Sequence, residues 1–339
     1  MTLHDEPLVP IPYDQIMVLS TARRHGRGPQ RLPDRMDRGR AIAAVQVEND
    51  QEARQVLTSL DRPGRRFYLD VERKQDLHLV DLARTTLTHS TFAVIKPNDI
   101  TVNALEALLA ELCEVDVSQM RVAVYGTGNL GFKIALRLAE RGGRVSLHGR
   151  DAGKASRLCR TMNEVLPPFS PSAVSTETSS GSIDVLVSAV SADSVITPDW
   201  LTRLAPQALC LDVGINNFTA DFLEGALSAG HTMMRLDVRS AGDPLPTEPN
   251  PFFSEVAGQI DVDGVTAVAG GYIGKYGDVV LDRITPPSRV VGVANGTGGL
   301  LQVEQWSDEI QRSVSRIRDC FARANASLGD ISTGRVDRA

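Results

Sequence analysis

Three glycines carry the first chemical signal. Gly126, Gly128 and Gly131 stand in the order G-x-G-x-x-G within Gly126-Thr127-Gly128-Asn129-Leu130-Gly131. The apolar run VAVY leads directly into them, and the helical pattern FKIALRLAERG follows, closing on Gly142 and Gly143 before the next apolar run. Spacing alone is weak evidence, because three glycines recur at that interval by chance. A strand before and a helix after supply the context the motif requires. There the first glycine makes the tight turn, the second lets backbone approach a pyrophosphate, and the third lets helix and strand pack closely. The helix N-terminus adds unpaired N–H groups and the positive end of a dipole, which receive phosphate. The reading is a dinucleotide site.

The end of the second strand decides which dinucleotide. An Asp or Glu there takes the ribose hydroxyls and selects NAD. This chain reads Ser146-Leu147-His148-Gly149-Arg150-Asp151. An arginine can pair a 2′-phosphate bidentately and stack on adenine. Lys154 offers a second charge and His148 a hydrogen bond. Asp151 carries the competing reading, as a ribose ligand favouring NAD. Arg150 comes first, so the expected cofactor is NADP.

Proton handling is the second chemistry sought. Hydride transfer belongs to such a cofactor, while the protein positions substrate and manages any proton. Oxidising an alcohol or amine needs a proton acceptor; oxidising a methylene bridge between two nitrogens does not. Lys96-x-x-Asp99, at the end of the strand-like STFAVIK (90–96), is the best candidate pair, and Lys74, after FYLDVER, is a second candidate lysine. Plainer readings stand beside these: a surface lysine before a turn, a helix N-cap for Asp99, a charged loop residue for Lys74. Tyr272, Lys275, Tyr276 and Asp278 could line a cleft, and Asn295-Gly-Thr-Gly-Gly could serve as a hinge.

The elements that must position these residues read as α/β. AIAAVQV (41–47), RRFYLDVE (65–72) and STFAVIK read as strands, with helical periods over 50–60 and in QDLHLVDLARTTL between them. They make a small N-terminal α/β domain ending near residue 100. The helix TVNALEALLAELCEV (101–115) links it to a second domain over 116–294. There RVAVYG, RVSLHG, IDVLVSAV, ALCLDVGI, MMRLDV, VTAVAGG and RVVGVA suggest a doubly wound parallel sheet of Rossmann type. The helix near 300–326 carries an apolar face (Val303, Trp306, Ile310, Val314, Ile317, Phe321) and is expected to return to the first domain, forming its substrate side with residues 1–100. Residues 327–339 read as a disordered tail. Seven arginines among Gly and Pro between Arg23 and Arg40 read as a loop or mobile arm, with an anion-binding lid as its functional reading.

Bulk properties narrow the classes. The 339 residues suffice for two domains, and 42% hydrophobic with 23% charged residues is ordinary for a globular chain. A net charge of -6 argues against nucleic acid as the main partner. No apolar run approaches the roughly 20 residues of a membrane span, and MTLHDEPLVPIP lacks the apolar core of a secretory signal, so a cytoplasmic setting is expected. Four scattered cysteines show no metal-ligand spacing and read as reduced packing residues. No metal is expected. A homodimer is expected, since two-fold assemblies are the commonest.

VLVSAVSADSVITPDWL (185–201) and ALCLDVGIN (208–216) resemble two signature stretches of the methylenetetrahydrofolate dehydrogenase/cyclohydrolase family. VTAVAGG (265–271) is similar to that family's Ile-Thr-Pro-Val-Pro-Gly-Gly, LDV (236–238) to its Gly-Asp-Val, and Lys96-Pro97-Asn98-Asp99 stands near its Pro-Cys-Thr-Pro turn. The likeness spans roughly 96–275. It implies cofactor contacts from Ser188, Ala189 and Val190 beside the nicotinamide ribose, from Val213, Gly214, Ile215 and Asn216 on the same sheet edge, and from Gly270 and Gly271. After Gly271 the chain continues Tyr-Ile-Gly where the family has Val-Gly-Pro, and the family's N-terminal Tyr-x-x-x-Lys motif has no counterpart, which leaves the cyclohydrolase step without its lysine. Three functions follow as expectations. One is an NADP-dependent oxidoreductase acting on a small substrate in an interdomain cleft, a one-carbon folate among the candidates. Another is a dehydrogenase or reductase of a small amino acid, imine or hydroxy acid, handling protons with a Lys/Asp pair by analogy with shikimate dehydrogenase. The last is a non-catalytic NADPH-binding regulator.

Overall fold

In the first strand, β1 (Gln15–Leu19), Ile16 and Val18 enter one core while Met17 and Leu19 enter another. Burial on both faces is why such segments are apolar throughout rather than alternating. The computed structural model describes residues 11–20, 28–37, 39–72, 76–113, 116–178, 181–240, 253–286 and 288–333. The chain divides into two compact units, 1–246 and 247–339.

Unit 1 opens with β1, β2 (Gln30–Asp37), β3 (Arg40–Gln46), α1 (Asp50–Leu60), β4 (Arg66–Asp70), α2 (Leu79–Thr86) and β5 (Thr91–Ile95). The sheet runs β2-β3-β1-β4-β5, with only β2 antiparallel. The segment 23–40, read as a loop or arm, therefore contains an edge strand. Its pairing shifts register between Leu32 and Arg35, the stretch holding Pro33, and proline is tolerated at edges and bulges because it needs no ladder partner there. Arg31 pairs with Asp34 across the bulge. Residues 21–27 of the arginine-rich stretch lie outside the described residues.

One face of this sheet packs on α1 and α2. The other packs on α3 (Pro97–Leu112), whose Ile100, Val102, Leu105 and Leu109 share a core with Met17, Ile42, Tyr68 and Ile95. This helix begins four residues before the predicted start, because Pro97 suits its first turn, where its missing N–H is not needed.

The second sheet comprises β6 (Arg121–Tyr125), β7 (Arg144–His148), β8 (Ile183–Ser188), β9 (Leu204–Asp212) and β10 (Thr232–Arg235), with α4 (Asn129–Glu140), α5 (Ala152–Val165) and α6 (Ala220–Ser228) between them. Its order is β10-β9-β8-β6-β7, parallel throughout. The strand order reverses between β6 and β8, and the carboxyl edge at such a switch point is where open α/β sheets bind ligands. The strand that would flank β7 is reduced to Ser175, which donates to Val145 O and accepts from Leu147 N.

Two strands expected in this parallel sheet lie elsewhere. Unit 2 contains α7 (Phe253–Val256), β11 (Gln259–Val262), β12 (Val265–Ala269), β13 (Val279–Leu281), β14 (Val290–Val293) and α8 (Asp308–Thr333). Its sheet is mixed, with β11–β12 and β13–β14 antiparallel. The cause is local: Asp263 and Gly264 both take positive φ, 51° and 77°, and turn the chain straight back into a hairpin. The last helix, expected to return to the first domain, has its apolar face engaged within unit 2. Ile310, Val314, Ile317 and Phe321 of α8 cover Val265, Ala267, Val279, Leu281 and Val293, so this sheet supplies the partner its apolar face needs. Among the described residues no helix is long and apolar enough to cross a membrane.

Candidate functional site

The glycines between β6 and α4 serve three different geometries. Gly126 takes φ 153°, and a Cβ there would sit 2.6 Å from Ala189 O. Gly128 precedes the first residue of α4, and a Cβ on it would meet nothing within 4 Å, so this turn is open toward whatever approaches it. A Cβ on Gly131 would fall 2.0 Å from Gly126 O, which only hydrogen avoids. The first turn of α4 is thereby pressed down onto the strand end.

Beside this turn lies a cleft of about 540 Å³ lined by Tyr125, Thr127, Gly128, Gly149, Arg150, Asp151, Lys154 and the stretch Ala189–Ala192 with Val195. Of the residues singled out in sequence, it brings together Thr127, Gly128, Gly149, Arg150, Lys154, Ala189 and Val190. Gly126, Asn129, Leu130 and Gly131 shape the turn but do not line it. Gly149 is tight against Thr127, whose Cγ2 would lie 2.8 Å from an added Cβ. Arg150 is exposed, and among the described residues no carboxylate pairs with it. Asp151 has other work: it caps α5, its Oδ1 accepting from Lys154 N at 2.8 Å. That cap weakens its reading as a ribose ligand.

His148 is placed differently from the expectation. Its Nε2 lies 3.0 Å from Ser146 Oγ, and its ring meets Trp200 edge-on at 5.1 Å. Burial, aided by the nearby Arg203 charge, lowers its pKa to about 4, so it is neutral near pH 7 and brings no charge to the cleft.

Behind the cleft, the ends of β8 and β9 are tied together. Ser188 is fully buried and donates its hydroxyl to Asn217 Oδ1, so that group is turned away from the cleft. Val213 N and Gly214 N donate to Ser188 O. Ile215 and Asn216 both take positive φ, 71° and 58°, and Asp212 accepts from Ile215 N and Asn217 N. Val213 to Asn216 therefore build the wall behind the loop without lining the cleft. Gly270 and Gly271 belong to unit 2, where Gly271 N donates to Val256 O. In the same unit Tyr272 and Tyr276 are exposed, and Asn295 Oδ1 accepts from Thr297 N and Gly299 N, closing the turn read as a hinge.

The proton-handling candidates separate. Lys74 lies outside the described residues. Lys96 is exposed at the start of α3, where its carbonyl accepts from Asp99 N. Asp99 takes its amine from another element: Lys133 Nζ donates to Asp99 Oδ1 at 2.6 Å and to Glu72 Oε1 at 3.3 Å. Burial pulls the Lys133 ammonium down, but the hydrogen bond and charge of Asp99 and the charge of Glu72 outweigh it and hold its pKa above the ordinary lysine value. Glu72 Oε2 also accepts from Asn98 N, and Asn98 Nδ2 donates to Asn129 Oδ1. This network joins Glu72, just past β4, and the first turn of α3 to the first turns of α4. Lys133 stands one turn beyond Asn129, about 6 Å along the helix from the glycine turn. Sequence reading missed Glu72, Lys133 and Asn217. The Asn129/Lys133 interval of four residues, which puts both on one helix face, was the only available signal for any of them.

Fold and cleft together define an α/β protein of three sheets, whose parallel sheet is of Rossmann type with a glycine-rich cleft at its switch point. No family model matches the chain, and no curated protein matches it. Among solved structures it is similar to a shikimate dehydrogenase in complex with NADP+, at 14% identity and TM-score 0.39 over 60% of this chain and 78% of that one. It is also similar to the dipicolinate synthase A chain from Bacillus subtilis, at 17% identity and TM-score 0.35 over 69% and 76%. An L-tryptophan dehydrogenase from Nostoc punctiforme matches at 18% identity and TM-score 0.38 over 60% and 61%.

Proposed function

We propose that the protein is an NADP(H)-dependent oxidoreductase that passes hydride between the cofactor and a small substrate. The observation that carries this reading is Arg150, exposed on the cleft wall beside Lys154, across from the open Gly128 turn, with the neighbouring Asp151 engaged as a helix cap. The glycine turn receives the pyrophosphate on the N–H groups of α4. Arg150 and Lys154 take the 2′-phosphate, while Asp151 beside them is engaged as the cap of α5. The cofactor supplies hydride chemistry when bound.

For the substrate, the Lys133–Asp99–Glu72 cluster favours a small hydroxy acid, amino acid or imine over a one-carbon folate. A Lys/Asp pair is a proton relay that oxidation of an alcohol or amine uses, whereas a methylene between two nitrogens gives up hydride without one. Likeness to the methylenetetrahydrofolate dehydrogenase family then reflects the cofactor half alone. Assembly as a homodimer is part of the proposal.

Titration with NADPH and NADH, followed by fluorescence, tests the cofactor. Arg150→Ala is expected to weaken NADPH binding by ten- to a hundredfold, the loss of about 1.5–3 kcal/mol typical of a charged hydrogen bond, and to leave NADH binding within twofold. Equal losses for the two would refute the assignment.

A further inference from the structure

The cleft wall from Ala189 to Ala192 has no regular secondary structure to hold it, and neither does the loop from Val213 to Asn217 behind it. One side chain ties them. Asn217 is fully buried, and all of its amide is used: Oδ1 accepts from Ser188 Oγ at 2.9 Å and Val190 N at 3.3 Å, while Nδ2 donates to Val190 O at 3.0 Å, Ala192 O at 2.9 Å and Ile215 O at 3.2 Å. The amide orientation is fixed by its partners, because Val190 N can only donate and the three carbonyls can only accept.

Backbone strain gathers around the same side chain. Ser194, Ile215 and Asn216 all take positive φ, 54°, 71° and 58°. For the β-branched Ile215 that conformation is a real outlier. Such strain persists only where surrounding contacts over-determine it, and it concentrates at ligand clamps. Here Ser194 N donates to Asn216 O, Val195 N and Ile196 N both donate to Asn217 O, and Asp212 accepts from Ile215 N and Asn217 N. Gly214 leaves no slack: a Cβ on it would lie 1.9 Å from Val190 O and 2.4 Å from Asn217 Oδ1.

We infer that Asn217 is a positioning residue for the cofactor: it sets the backbone of Val190–Ala192 as a rigid wall for the part of the dinucleotide beyond the pyrophosphate, and touches no ligand itself. This rests on the dinucleotide reading above and adds to it a division of labour. The Arg150 side of the cleft reads the 2′-phosphate and stands on β7 and α5. The Asn217 side serves the other half and stands on β8 and β9.

Two probes separate the halves. Adenosine 2′,5′-bisphosphate occupies only the Arg150 side, while NADPH spans both. Calorimetric titration of wild-type protein and Asn217→Asp with each is decisive, because the aspartate keeps the acceptor for Ser188 and Val190 but sets a second oxygen against three carbonyls. NADPH binding is expected to weaken tenfold or more and bisphosphate binding to stay within twofold. Ser188→Ala, which removes one hydroxyl from the same amide without adding charge, is expected to show the same split at about threefold, and it carries the test if the aspartate variant does not fold. Equal loss of both probes, or no loss of either, in a folded variant overturns the positioning role while leaving the dinucleotide reading intact. Wild-type protein that binds neither probe overturns that reading and the inference with it.

Discussion

The neutral, half-buried His148 makes a prediction that can be worked through. Its pKa lies at about 4, against 6.5 in an unfolded chain. Between those values the unfolded state binds a proton that the folded state refuses. Stability therefore falls as pH drops through 6.5 and levels off below about 4. At pH 5 the gap is about 1.5 pH units from the unfolded pKa, or about 2 kcal/mol at 1.36 kcal/mol per unit, and about 1 kcal/mol once solvent screening of its exposed part is allowed for. His148→Phe keeps an aromatic edge for Trp200 and removes the titration. Ser146 Oγ retains Val122 O as a partner, at 3.4 Å. Urea unfolding of both proteins at pH 7.5, 6 and 5 is the assay. The variant is expected to gain on wild type by about 1–2 kcal/mol between pH 7.5 and 5, since all other titrating groups cancel in the difference. Parallel pH curves would refute the argument, as would a His148 ring resonance titrating near 6.5.

Other expectations follow from contacts already described. Lys133→Met removes the ammonium that Asp99 and Glu72 share and should cost about 1–3 kcal/mol in chemical denaturation; the same variant should abolish turnover once a substrate is in hand, whereas Lys96→Met should retain it. Gly131→Ala, which forces a Cβ to 2.0 Å from Gly126 O, should reduce NADPH binding by more than tenfold at constant far-ultraviolet dichroism. Asp61 accepts from Thr88 N, Thr88 Oγ1 and Ser90 N, which hold its carboxyl well below the ordinary aspartate pKa despite the opposing effect of burial. Its contribution is thus present at neutral pH and lost in acid, and Asp61→Asn should flatten the acid limb of the melting curve below pH 4.

How much of this could be read beforehand differs between the parts of the molecule. The Gly126–Gly131 turn and the strand that leads to Arg150 were legible because motif, strand and helix are contiguous, so local sequence contains the whole geometry. β3, α1, β4 and β5 were legible for the same reason. The edge strand at Gln30–Asp37 was not, because Pro33 and the arginines mask its period and its partner lies in β3. β12 and β14 were read as parallel strands of the main sheet because an apolar run of four or five residues does not say which neighbour it will pair with; the Asp263-Gly264 hairpin held that information. Lys133, Glu72 and Asn217 escaped because each acts through partners from 25 to 61 positions away, and no periodicity in one sequence records such a meeting. The pairing of Lys96 with Asp99 was drawn from adjacency in sequence, whereas the amine that meets Asp99 in space is Lys133.

The helix α3 lies between the first sheet and the parallel sheet, and the core it shares runs without a break from Met17 and Tyr68 through Leu105 to Val122, Ile134 and Leu147. Folding of the two sheets is therefore one cooperative event. A fragment ending near residue 113 would display the face of α3 that α4 and the turn at Val238–Ser240 cover, and would be expected to aggregate rather than fold. By the same coupling, a lesion deep in β1, far from any nucleotide, would empty the glycine cleft by melting it, and nucleotide binding would report the health of the whole unit.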